Sequence, residues 1–218
     1  MFEQLIQLDH QIFFAINKGL SNSFFDWIMP LLRNKYFWIP LYAFLIIFLP
    51  RNYGKWGWLC LLFIIITFGV CDYFSASIVK PAFERLRPCN DVSIKDELNA
   101  LVHCGSGFSF PSSHATNHFG IEMFLVGTFY SRWKWIAPLA FGWAFSIAFA
   151  QVYVGVHFPI DVITGAILGC IIGYITSSVF LTIKFEKEWK SGNWSSYLQA
   201  ALWVVWLSFC LRKIIRNA

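Results

Sequence analysis

Apolar residues run along this chain in long stretches that are separated by short polar loops. The four clearest stretches cover residues 56–79, 113–130, 135–154 and 160–183. A helix needs about 20 mostly apolar residues to cross the ~30 Å hydrocarbon core of a bilayer. The pattern therefore predicts an all-α fold with four firm transmembrane helices.

The other segments are shorter or more polar. Residues 2–20 place apolar side chains near helical spacing between polar ones, which is typical of an amphipathic helix in the membrane interface. Residues 21–35 predict a short interfacial or re-entrant helix, and 36–49 either belong to a kinked span or cross incompletely. A charged loop at 184–193 precedes a marginal last span at 196–211. We expect one domain over residues 1–218, a polytopic bundle of about five to six transmembrane helices with an N-terminal interfacial helix.

The composition favours an integral membrane protein. Hydrophobic residues make up 57% of the 218 residues and charged residues 13%, which is too apolar a balance for a soluble fold of this length. The net charge of +5 comes from short basic loops beside apolar stretches, so we predict a bilayer and no nucleic acid as partner. The oligomeric state is not indicated.

Two of the six cysteines lie outside the apolar stretches. Cys89 and Cys104 flank a polar loop, where they form a disulfide if the loop faces an oxidising compartment and stay free thiols otherwise. The remaining cysteines are expected to be small buried apolar residues: Cys60, Cys71, Cys170 and Cys210.

Counting helices places two polar loops on one side of the membrane. Two crossings separate the loop at 80–112 from the turn at 155–160, so both emerge on the same side. The opposite side carries cations that fit a cytoplasmic face: Arg51, Lys55, Arg132, Lys134, Lys184, Lys187 and Lys190. The side of the two loops also carries cations, so charge alone leaves the orientation open: Lys80, Arg85, Arg87 and Lys95.

A first polar block, at 80–88, is basic. Lys80, Arg85 and Arg87 either snorkel to lipid headgroups or bind phosphate, for which the Arg fork is well suited. The sequence of this block alone does not decide between the two.

A second block, at 110–118, has the features of a helix N-terminus. Ser112 and Ser113 precede an apolar run, Ser is a preferred N-cap, and the free N–H groups of a first turn attract phosphate. His114, His118 and Glu122 follow at four-residue steps on one helix face, where ionisable groups are functional candidates. A metal site on this stripe is the alternative, although no further His or Cys pattern completes its ligands.

A third block, at 155–161, contains a His and an Asp four residues apart. If a helix begins near Pro159, Asp161 lies in its first turn and reaches back to orient His157 as a nucleophile. The alternative is that Asp161 only caps its own helix.

Together the three blocks resemble the type 2 phosphatidic acid phosphatase family, the membrane branch that shares its site with vanadium haloperoxidases. The family pattern is Lys, six residues, Arg-Pro; then Pro-Ser-Gly-His; then Ser-Arg, five residues, His, three residues, Asp. The matching residues are Lys80, Arg87, Pro88, Pro111, Ser112, His114, His157 and Asp161. The chain looks similar to small bacterial members of the Bacteroidetes type.

The resemblance implies a lipid phosphatase that needs no metal or other cofactor. His157 would attack phosphorus to give a phosphohistidine, with Asp161 orienting it and His114 protonating the leaving group. The phosphoryl oxygens would be held by Lys80, Arg87, Ser112, Ser113 and Gln151. We expect a bacterial inner-membrane protein whose site faces the periplasm and whose partner is a phosphorylated envelope lipid, such as undecaprenyl diphosphate, lipid A or phosphatidylglycerol phosphate.

Two positions depart from the family pattern. Ser113 replaces the Gly and keeps the backbone N–H, whereas Ala150 and Gln151 replace the Ser-Arg pair. The loss of that Arg removes a charged phosphate ligand, for which Arg85 and His118 are the candidate substitutes. The alternative function is therefore a phosphate-lipid binding or transport protein with a degenerate phosphatase site.

Overall fold

The computed structural model describes residues 2–189 and the side chains of residues 3–184. That part of the chain is all-α, in line with the predicted fold class. Its α-helices are α1 (Phe2–Asn17), α2 (Ser23–Leu32), α3 (Ile39–Tyr53), α4 (Lys55–Tyr73), α5 (Lys80–Phe83), α6 (Ser113–Phe129), α7 (Ile136–Tyr153) and α8 (Pro159–Trp189). A π-helical segment, Phe74–Val79, joins α4 to α5, and 3₁₀ turns lie at Lys35–Trp38 and Pro88–Asn90.

Within residues 2–189, three helical stretches are long and apolar enough to cross a membrane: Lys55–Phe83, Ile136–Tyr153 and Pro159–Lys184. The pair Ser23–Leu32 and Lys35–Tyr53 is bent by 72°, and it is either a broken span, which makes four, or a re-entrant loop. The predicted five to six crossings are thus not confirmed. The helix α6 has 17 residues, about 26 Å at the usual rise per residue, and is short for a full crossing.

Two predictions concern the C-terminal part. The start of the charged loop predicted at 184–193 is wrong, because α8 continues to Trp189. The last predicted span, residues 196–211, lies outside the described residues.

Glycines on α8 let this helix lie directly against α6. Gly165, Gly169 and Gly173 recur every four residues and so share one face. A Cβ at Gly169 would press on the carbonyl oxygen of Thr116, and one at Gly173 on the carbonyl oxygen of Gly120. Small residues at such a contact allow membrane helices to pack backbone against backbone.

The outward face of α8 is a stripe of exposed aliphatic side chains. Its residues are 47–58% exposed: Ile163, Ile167, Ile171, Ile175 and Val179. In water so large an apolar face would be costly, whereas in a bilayer it meets lipid tails. The distribution of polarity across α8 is therefore that of a membrane helix.

The buried face of the helix α1 carries two polar side chains. Asp9 and Asn17 are buried with Phe13 on one face, while Leu5 and Leu8 are exposed. Asn17 uses its amide to donate to the carbonyl of Tyr153, at 2.7 Å, and so ties α1 to the end of α7. The interfacial position of α1 in a bilayer stays a prediction.

We predict that Gly169→Ala destabilises the bundle, because the new methyl group forces α8 away from the Thr116 carbonyl. Overpacking of this kind costs about 1–3 kcal/mol. Thermal unfolding in detergent micelles measures the effect as a lowered midpoint. The matched control is Gly142→Ala, since a Cβ at Gly142 meets no atom within 4 Å. Equal losses in both variants would contradict the close α6–α8 contact.

Candidate active site

The turn after α7 places His157 at one end of the bundle. Gly155 has φ 84°, a left-handed conformation that favours glycine, and it caps α7 in a Schellman motif. Its N–H donates to the carbonyl of Val152 at 3.0 Å, and the N–H of Val156 donates to that of Gln151 at 3.2 Å. The chain thereby folds back, and the N–H of His157 also donates to the Gln151 carbonyl at 3.2 Å.

Asp161, in the first turn of α8, both caps its helix and faces the imidazole. Its Oδ2 accepts from the N–H of Phe158 at 2.9 Å and lies 3.5 Å from Nδ1 of His157. The carboxylate of Asp161 therefore both caps its helix and lies next to His157. The helix starts at Pro159, as the sequence predicted.

Ser109 links the imidazole to the carboxylate. Its hydroxyl lies 3.2 Å from Nδ1 of His157 and donates to Oδ2 of Asp161 at 2.5 Å. Because the Ser109 hydroxyl donates its hydrogen to Asp161, its oxygen can only accept from the ring. We therefore assign the ring proton to Nδ1, which donates to the Ser109 oxygen. Sequence analysis missed Ser109, because the loop at 89–110 gives no periodic signal.

The other ring nitrogen of His157 faces Arg87. Nη1 of Arg87 lies 3.3 Å from Nε2 and also donates to the carbonyl of Val156 at 3.3 Å. Burial lowers the pKa of His157 to about 4, against the opposing effect of Asp161. The ring is therefore neutral at pH 7, with its lone pair on Nε2.

Arg85 lies between two carboxylates. Its guanidinium donates to Oδ1 of Asp161 at 2.8 Å and to Oδ2 of Asp9 at 2.6 Å, and both carboxylates are fully buried. Asp9 also accepts from the N–H of Ile160 at 2.9 Å. The guanidinium of Arg85, a candidate substitute phosphate ligand in the sequence, is thus paired with Asp9 and Asp161. Asp9 escaped sequence analysis because a single acid in an amphipathic helix usually faces water.

Lys80 holds the loop that carries Ser109. Its buried ammonium donates to the carbonyls of Phe108 at 2.6 Å and Ser109 at 3.2 Å. An ammonium has three N–H groups, so one stays available for another acceptor. In the π-helical segment before Lys80, Ser75 donates to the hydroxyl of Ser113 at 3.0 Å.

The predicted cap of α6 is confirmed. Ser112 is the N-cap, its hydroxyl accepts from the N–H of Ala115 at 3.4 Å, and its own N–H donates to the carbonyl of Asp161 at 2.9 Å. This backbone bond joins the second block to the third. His114, in the first turn, is exposed.

His118 and Glu122 lie deeper along α6. The ring of His118 meets Trp143 edge-on, with centroids 5.1 Å apart. Nδ1 of His118 and Oε1 of Glu122 are buried without a hydrogen-bond partner in the part of the chain that the structure describes. No group of three His, Cys, Asp or Glu side chains in residues 3–184 is placed to hold a metal ion.

A disulfide closes the loop beside Arg87. Cys89 is bonded to Cys104, with Cα atoms 5.9 Å apart. Nε of Arg87 donates across the same loop to the carbonyl of Gly107 at 2.9 Å. The loop from the first block is thereby held against the segment that leads to Ser109.

An apolar rim borders the polar groups. Phe83 and Leu86, which lie between Lys80 and Arg87 in the chain, are 64% and 50% exposed. The ring of Phe83 lies 4.7 Å from that of Phe110. Exposed apolar side chains therefore lie between the cations of the first block.

Similar proteins match the stretch that carries the three blocks. The model of the PAP2 superfamily matches residues 56–185. A lipid A 4'-phosphatase of Bacteroides thetaiotaomicron is 34% identical over 166 residues, which are 75% of this chain and 72% of that protein. A lipid A 4'-phosphatase of Porphyromonas gingivalis is 25% identical over 181 residues, 82% of this chain and 75% of that protein.

Two solved structures share the fold. A PAP2 type phosphatidylglycerolphosphate phosphatase of Bacillus subtilis has a TM-score of 0.62 and 27% identity, over 81% of this chain and 86% of that one. LpxE of Aquifex aeolicus has a TM-score of 0.56 and 26% identity, over 78% of this chain and 94% of that one. From these matches and the three converging blocks, the chain belongs to the PAP2 superfamily and is a membrane lipid phosphatase.

Proposed function

We propose that this membrane phosphatase hydrolyses a phosphate monoester or pyrophosphate of an envelope lipid through a phosphohistidine at His157. The observation that carries the proposal is the setting of the imidazole. Ser109 and Asp161 engage Nδ1, and the Nε2 lone pair faces the Arg87 guanidinium. A neutral imidazole with one oriented lone pair is a nucleophile. We take residues 1–218 as one domain, with the site residues within 80–161.

In the first step, Nε2 of His157 attacks phosphorus and the bond from phosphorus to the lipid oxygen breaks. The ring then carries a positive charge, which the Asp161 carboxylate stabilises electrostatically from 3.5 Å. Arg87, the third N–H of Lys80, the free N–H groups of the first turn of α6 and the Ser113 hydroxyl surround the phosphoryl oxygens. Such preorganised donors supply most of the stabilisation in phosphoryl transfer.

His114 acts as the acid in this scheme. It lies among cations, with Arg33, Arg87 and Lys80 acting on its ring. A bound phosphate brings negative charge beside it, which favours the protonated ring. His114 gives its proton to the leaving lipid oxygen. In the second step it takes a proton from the water that attacks phosphorus, and the P–N bond breaks to release phosphate. This chain supplies the nucleophile, the acid and the phosphate-binding groups of both steps.

Two relatives bear on the choice among the candidate substrates. Both are lipid A 4'-phosphatases, and one of them is 34% identical to this chain. This favours a lipid A phosphate over undecaprenyl diphosphate and phosphatidylglycerol phosphate. The apolar rim at Phe83 and Leu86 suits a substrate whose acyl chains stay in the bilayer.

We infer that the site faces the periplasm across the bacterial inner membrane. The bond between Cys89 and Cys104 lies beside the site, and disulfides persist in oxidising compartments. Arg51, Lys55 and Arg132 lie at the helix ends opposite the site, as expected for a cytoplasmic face.

We predict that His157→Ala lowers phosphate release from lipid A by about 10³-fold or more, because the nucleophile is lost. Excess EDTA leaves the wild type active if the reaction is metal-independent. The matched control is His103→Ala, since His103 is exposed in the loop. Wild type quenched with ³²P-labelled substrate retains an alkali-stable, acid-labile label on the protein. A label that persists in His157→Ala contradicts the proposed intermediate.

We predict that Asp9→Asn lowers kcat about 10- to 100-fold with little change in KM. Without the Asp9 carboxylate, Asp161 alone neutralises the charge of Arg85. Its negative charge then stabilises the phosphorylated ring less. Initial rates over a range of lipid mole fractions separate kcat from KM. Asp96→Asn, at an exposed loop carboxylate, is the control. An unchanged kcat in folded Asp9→Asn would show that the Asp9–Arg85 pair has no part in turnover.

A further inference from the structure

The side chain of Gln151 is buried, and its amide makes no hydrogen bond to the residues that the structure describes. It is 0% exposed, and both its amide nitrogen and its amide oxygen lack a hydrogen-bond partner among the described residues. Leaving buried polar groups unpaired costs about 1–3 kcal/mol each, so such groups point to a ligand or water. Its backbone carbonyl, by contrast, is occupied by the turn to His157.

Arg33 lies close to the same part of α7. It is the C-cap of α2, one turn after Met29. Met29 packs in one apolar cluster with Ala150, Tyr153 and Val154, which lie near Gln151 at the end of α7. Positions four apart share a helix face, so Arg33 leaves α2 on the side that packs against α7.

The guanidinium of Arg33 also lacks a hydrogen-bond or ion-pair partner within residues 3–184. Its Nε is buried without a hydrogen bond, and none of the ion pairs among the described residues includes it. Its charge acts on Arg87 and, more strongly than that of Arg87 or Lys80, on His114. Partly buried cations that lie near one another repel, and a bound anion relieves the repulsion.

We propose that Arg33 supplies the phosphate-binding guanidinium that position 151 lacks, while the Gln151 amide adds a neutral hydrogen bond. The inference rests on the proposed phosphatase reaction and names a further ligand of its phosphate. The cation then reaches the site from α2, outside the three polar blocks. Arg33 ends α2 one turn after Met29, which packs against the end of α7, and this packing brings the side chain toward the site.

The test uses full-length Arg33→Gln, Arg33→Lys, Gln151→Arg and the double variant Arg33→Gln/Gln151→Arg. Phosphate release from lipid A gives kcat and KM, and competition by inorganic phosphate gives Ki. We expect Arg33→Gln to lower kcat/KM by about 10²- to 10³-fold and to raise Ki at least about tenfold, as for loss of one charged donor. Arg33→Lys falls between, because it keeps the charge but loses the fork.

The double variant carries the decisive comparison. Moving the guanidinium to position 151 restores kcat/KM at least about tenfold over Arg33→Gln if both positions serve one phosphate. Lys35→Gln, two residues on and exposed, is the charge control and stays near wild type. Thermal unfolding checks that each variant is folded.

Two results overturn the inference while the wild type is active. One is wild-type kcat/KM and Ki in folded Arg33→Gln, and the other is no recovery in the folded double variant. An inactive wild type instead contradicts the proposed reaction. Calorimetric binding of inorganic phosphate then tests Arg33 by itself. Loss of binding in Arg33→Gln supports its role, and equal binding overturns it.

Discussion

The structure at the active end depends on one carboxylate. Asp161 accepts from the N–H of Phe158, the hydroxyl of Ser109 and the guanidinium of Arg85, and its backbone carbonyl accepts from Ser112. These bonds tie α8 to the loop after α5 and to the start of α6. A buried carboxylate is tolerated only when its oxygens are satisfied in this way. The hydrogen bonds that offset the cost of burying Asp161 also fix the orientation of His157.

The close contact of α6 and α8 makes this junction possible. Gly165 lies one turn after Asp161, and a Cβ there would crowd the carbonyl oxygen of Ser112. Larger side chains along this face would move Ser112 away from Asp161 and separate the second block from the third. The glycines thus belong to the architecture of the site as much as to the packing of the bundle.

The sequence predicts what is local and misses what is distant. The cap at Ser112, the start of α8 at Pro159 and the pairing of Asp161 with His157 all follow from short-range rules of turns and helix ends. Asp9 has no such rule, because its partner Arg85 is far away in the chain and the pairing is set by how α1 packs. The sequence left open whether residues 36–49 belong to a kinked span, and the described residues show a 72° bend between Ser23–Leu32 and Lys35–Tyr53.

The exposed rim at Phe83 and Leu86 has a kinetic consequence. A lipid whose tails lie among such side chains meets the enzyme by lateral diffusion within one leaflet, and its headgroup enters without leaving the membrane plane. The relevant substrate concentration is then a surface density, set by lipid composition, and the dephosphorylated lipid stays in the same plane as a competitor. Turnover in the cell would therefore follow the make-up of the leaflet more closely than the bulk amount of substrate.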